Sequence, residues 1–119
     1  MANPNIVGVT SIFGKTAVLA VTTTPTNIIA NANNSNTILK VNNLVISNIE
    51  GTTATDITVS IFRSSTEFKI AHTISVPGDS SFIAIDKSTM IYLEEGDGLR
   101  LTAGANSRLQ AVCSYEIIS

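Results

Sequence analysis

Apolar and polar residues alternate with a period of two along much of this chain. Over residues 56–63, Ile57, Val59 and Ile61 alternate with Thr58 and Ser60, and further on Phe68, Ile70, Ile74 and Val76 alternate with Lys69, Thr73 and Ser75. Successive side chains of a strand point to opposite faces, so both segments predict half-buried strands. Leu99, Leu101 and Ala103 alternate with Arg100 and Thr102, and Leu109, Ala111, Cys113, Tyr115 and Ile117 alternate with Gln110, Ser114 and Glu116. The link between these two runs, Gly104-Ala105-Asn106-Ser107, predicts a hairpin, because Gly and Asn tolerate the positive φ of short hairpin loops. Weaker strand patterns lie at residues 6–12, 16–22, 26–30, 81–86 and 90–93. In residues 37–49 the apolar phase set by Leu39 and Val41 switches to that of Leu44 and Ile46, which predicts a β-bulge at Asn42-Asn43.

Turn residues separate these runs at short intervals, at Asn33-Asn34-Ser35-Asn36, Glu50-Gly51-Thr52, Val76-Pro77-Gly78-Asp79 and Glu95-Gly96-Asp97-Gly98. No helical stripe exceeds two turns. Strands and turns at this spacing predict an all-β fold: a two-sheet antiparallel β-sandwich of jelly-roll or related Greek-key type, with eight or nine strands. The 119 residues suffice for one domain with its own core, preceded by a short N-terminal arm of about residues 1–5.

Composition narrows the function more than the fold. Thr (15), Ser (13) and Asn (11) supply about a third of the chain, only 13% of residues are charged, and there is no Trp. The net charge is −2 and the seven Lys and Arg residues are scattered from Lys15 to Arg108, so neither nucleic acid nor an anionic membrane is an expected partner. No apolar run approaches the roughly 18 residues of a membrane span. The start, Met1-Ala2-Asn3-Pro4-Asn5, lacks the basic and apolar regions of a secretory signal, and assembly in the cytoplasm is expected.

The candidates for chemistry are few. His72, the one imidazole, shares the strand phase of Phe68, Ile70, Ile74 and Val76 and reads as a residue of the core edge or of a subunit contact. Cys113, in phase with Leu109, Ala111 and Tyr115, reads as a buried small hydrophobe. Carboxylates crowd at Glu94-Glu95-Gly96-Asp97-Gly98, but the spacing does not match a twelve-residue calcium loop, and an exposed turn is expected. No catalytic, cofactor-binding or metal-ligating residues are assigned, no cofactor is expected, and the chain is not expected to be an enzyme. What remains is surface. Of the apolar pairs Ile6-Val7 and Ile117-Ile118, strand alternation turns one member of each outward, toward a partner. With the arm, this gives Asn3, Pro4, Asn5, Ile6, Val7, Ile117 and Ile118 as the expected assembly interface.

The opening Met1-Ala2-Asn3-Pro4-Asn5-Ile6-Val7, the segments Ile61-Phe62-Arg63-Ser64-Ser65-Thr66 and Ile91-Tyr92-Leu93-Glu94-Glu95-Gly96-Asp97, and the closing Ala111-Val112-Cys113-Ser114-Tyr115-Glu116-Ile117-Ile118-Ser119 resemble small virion structural proteins of tailed bacteriophages, notably cyanophages. The resemblance imports no site residues. It implies a virion location and a capsid decoration (cement) protein, a homotrimer that binds the major capsid protein and stabilises the head. Two alternatives stand beside it: a tail, neck or baseplate component, and a receptor- or glycan-binding module. The glycan reading lacks the aromatic platform that sugar sites use.

Overall fold

The computed structural model describes residues 5–8 and 10–119. Nine strands follow one another: β1 (Ile12–Val21), β2 (Thr26–Ala30), β3 (Ile38–Asn48), β4 (Thr55–Arg63), β5 (Thr66–Val76), β6 (Ser81–Ile85), β7 (Ile91–Leu93), β8 (Gly98–Ala103) and β9 (Leu109–Ile118). The first sheet has the order β1-β9-β3-β6, with β7 continuing beside β6 along the same edge of β3; the second has the order β2-β8-β4-β5. All pairings are antiparallel. They are also nested, β4 with β5, β3 with β6, β2 with β8 and β1 with β9, which is one long hairpin rolled into two sheets. The expected β-sandwich is therefore present, in its jelly-roll form.

The inward phases of both sheets meet in one core, in which Val41, Leu44, Ile46, Ile57, Val59, Leu93, Leu99, Leu101 and Cys113 are fully buried. Burying each large aliphatic side chain is worth about 1.5–3 kcal/mol, so this layer supplies the main driving force of the fold. The phase switch in β3 is a bulge as expected: Val41 pairs with Tyr115 and Asn43 with Ser114, leaving Asn42 extra.

Two local readings need correction. The hairpin expected at residues 104–107 is a crossing between sheets, since β8 and β9 lie in different ones. Its hydrogen bonds explain this: Gly104 N–H donates to Asp56 O in the second sheet (2.8 Å), while Ile49 N–H, just beyond β3 of the first, donates to Arg108 O (2.8 Å). The tight hairpin of the chain joins β4 to β5, where Ser64 (φ 52°) and Ser65 (φ 61°) form the two-residue left-handed turn that suits strand twist. The alternation read through β5 also fails. Ile70 is extra between the partners of Val59 and Ser60, and His72 and Thr73 together stand opposite the single Thr58, with Thr73 at φ 49°. His72 is consequently exposed on a bulged edge and does not border the core.

Candidate assembly surfaces

The expected interface residues divide. Asn3 and Pro4 lie outside the described residues. Asn5, Ile6 and Val7 are exposed, Val7 at 96%, and sit in a 3-10 turn (Ile6–Gly8) where a strand was expected. The turn forms because Asn5 takes two amides, its carbonyl accepting from Gly8 N–H (2.9 Å) and its Oδ1 from Val7 N–H (3.1 Å). Ile117 is half-buried and packs against the core. Ile118 points to the other face as alternation requires, yet it is 3% exposed, so it is a correction: the subunit covers this side chain itself. Its row neighbours are Ile12 and Ile38, and Ser119 continues the ladder by bonding Ser11 in both directions.

An uncharged surface lies elsewhere, at the centre of the solvent face of the first sheet. Val18 is registered with Val112, Val112 with Val45, and Val45 with Ile83, so one apolar row crosses all four strands. Val18, Ile83 and Val112 are 74%, 59% and 42% exposed. The rows on either side are Thr16, Ser114 and Asn43, and Ala20, Gln110, Ser47 and Ser81. None of these residues carries a charge. A shallow depression of about 270 Å³ over residues 18–20 and 110–112 lies on the β1–β9 side of the row. The sequence signal for the row is an apolar residue in a polar phase, as Val112 is between Gln110 and Ser114.

The solvent face of the second sheet has opposite chemistry. Arg100 stacks over the Phe62 ring at 3.6 Å, and the Glu67 carboxylate accepts from Lys69 Nζ (2.7 Å), Ser60 Oγ (3.1 Å) and Arg100 (3.4 Å). The Lys69 hydrogen bond foremost holds Glu67 below the usual carboxyl range.

The acidic segment at residues 94–97 is a clamp and only partly an exposed turn. Asp97 is buried, takes a fork of two bonds from Arg63 (Nε 2.7 Å, NH2 2.5 Å) and accepts Glu94 N–H at 2.8 Å. Arg63 closes β4, so this pair ties the β4–β5 hairpin to the turn before β8. The bond to Asp97 is also the main reason the Arg63 guanidinium is held above its ordinary range. Gly96 adopts the left-handed conformation, at φ 89°. Two buried asparagines do similar work: Asn31 donates to Thr37 O and Leu93 O, and Asn48 to Thr53 O and Val76 O. Cys113 is fully buried, and desolvation pushes its thiol up to about 12.

No family model and no curated protein matches the chain. The fold is similar to a chain in the solved structure of Bacillus endospore appendages, described as a novel family of disulfide-linked pili, with TM-score 0.54, 13% identity, and coverage of 98% of this chain and 95% of that one. At that identity the likeness concerns the fold. It is an end-to-end match, so the jelly roll is shared without a large insertion or missing lobe.

Proposed function

We propose that the protein is a non-catalytic structural subunit of a virus particle, a decoration protein that binds the outside of a tailed-phage head between capsid subunits. The observation that carries this reading is the uncharged centre of the solvent face of the first sheet, with its apolar row of exposed Val18, Val112 and Ile83 and half-buried Val45. Exposed apolar rows rimmed by small polar groups mark surfaces that another protein covers. The exposed Ile6 and Val7 add a second apolar contact at the N-terminal side. Each bound copy favours the assembled shell over the loosened one by mass action, a few kcal/mol per copy at saturation.

Cosedimentation with heads lacking the protein is the test. Added protein is expected to pellet with the heads to saturation and to raise the temperature at which they release DNA. Protein that stays in the supernatant overturns the reading.

The likeness to a pilus chain favours a second reading, a filament subunit. The described cysteine, Cys113, is buried, so such a filament would be held by non-covalent contacts at these faces. Electron microscopy of concentrated protein distinguishes the two: filaments support the second reading, discrete particles the first.

A further inference from the structure

A strand at the edge of a sheet presents unpaired N–H and C=O groups, and folded proteins blunt such edges by shortening, bulging or charging them. Three of the four edges here carry those devices. β2 is five residues long with a register break between Asn27 and Ile29. β5 carries two bulges and Lys69. The far edge of the first sheet is divided between β6, five residues with its own register break, and β7, three residues. β1 is different. It runs ten residues, pairs with β9 through ten consecutive positions without a break, and contains one charge, Lys15, and no proline. Among the described residues no strand pairs with its other side.

We propose that β1 pairs antiparallel with β1 of a second copy of this chain, about a two-fold axis at Val18, so that the two first sheets join into one. The occupant follows from the edges available. An edge without a bulge is matched without a break only by another such edge, and among the described residues that is β1 itself, of which residues 15–21 face their counterparts when Val18 lies on the axis. A three-fold ring would need β1 to pair with an edge of a different kind, and each of those is short or bulged.

The register follows from the faces. Opposite residues of an antiparallel pair share a face, so the axis passes through a residue position and not between two. With Val18 opposite itself, Thr16 meets Ala20 and Lys15 meets Val21, so the two lysines fall at opposite ends of the ladder. The apolar row then runs unbroken from Ile83 of one copy, through both Val18 side chains, to Ile83 of the other. This pairing covers the most exposed member of the row, Val18. The proposal rests on edge geometry alone and holds whether or not the protein binds a phage head.

Sedimentation equilibrium of the full chain is expected to give twice the 12.5 kDa of the monomer. Val18→Lys is expected to sediment as a monomer, its pairing weakened by about tenfold or more, with an unchanged circular dichroism spectrum because the side chain points to solvent. Register is read by cysteines. Val18→Cys is expected to form an interchain disulfide under mild oxidation, Thr16→Cys alone is not, and a mixture of Thr16→Cys with Ala20→Cys is. The buried Cys113 does not compete. A monomeric wild type at millimolar concentration, a Val18→Lys variant that remains dimeric, or self-crosslinking of Thr16→Cys without that of Val18→Cys would each overturn the proposal.

Discussion

Removing Arg63 strands a buried carboxylate, and the size of the effect follows from the geometry. The Asp97 side chain is 1% exposed and is held by two bonds from Arg63 and one from Glu94 N–H. Breaking a fully buried pair costs about 3–5 kcal/mol. Here the arginine side is 45% exposed and screened by water, and the Glu94 amide stays in place, which lowers the expectation for Arg63→Ala to about 2–3 kcal/mol. Asp97→Ala leaves a hydrated arginine but unties the turn and orphans the Glu94 amide, at about 2 kcal/mol. Once either partner is gone the other contributes little, so the double variant is expected to lose about 3 kcal/mol, less than the sum. With an unfolding entropy of about 2.1 cal/mol/K per residue, Arg63→Ala then lowers Tm by about 8–12 °C. Calorimetry of the four proteins measures the cycle. Additive losses, or an Arg63→Ala shift of less than about 2 °C, would refute the clamp.

Further expectations rest on other residues. At Gly78 an added Cβ would lie 2.7 Å from Glu50 O and 2.9 Å from the Gly51 carbonyl carbon, so Gly78→Ala is expected to destabilise by about 1–3 kcal/mol in urea unfolding; an unchanged midpoint would count against the packed turn. Cys113 carries almost no thiolate at pH 8, and a thiol reagent is expected to modify it only after denaturant is added; fast stoichiometric labelling of folded protein would contradict its burial. Glu67 is held below its ordinary range, so its stabilisation is present above about pH 4.3 and is lost as pH falls through its lower folded value. The stability gap between wild type and Glu67→Gln is therefore expected to shrink from neutral pH toward about pH 3, and a constant gap would sink the network.

What the sequence conveys is the period of each strand, because period is a local property. Leu39, Val41, Leu44 and Ile46 announce both the strand β3 and its bulge. Partner choice is not local. Gly104 and Asn106 are compatible with a hairpin and with a crossing between sheets, and bonds to Asp56 and Ile49, distant in sequence, decide it. β5 misleads because one extra residue at Ile70 and one more where His72 and Thr73 oppose Thr58 each shift its phase, and bulges in an edge strand leave little mark in composition. The carboxylates near Asp97 look like a free turn until Arg63, 34 residues earlier, arrives beside them. The apolar row shows in the sequence only as separate out-of-phase residues, for a related reason: Val18, Val45, Ile83 and Val112 lie in four separate strands and are aligned only by register.

The central claim is that this jelly roll is a structural subunit of a phage particle, mounted in many copies on the head. Quantitative mass spectrometry of purified virions, calibrated against the major capsid protein, tests it most directly. The account predicts hundreds of copies per particle. A few to a few dozen would contradict head decoration and move the protein to the tail, neck or baseplate, and absence from virions would contradict the structural assignment itself.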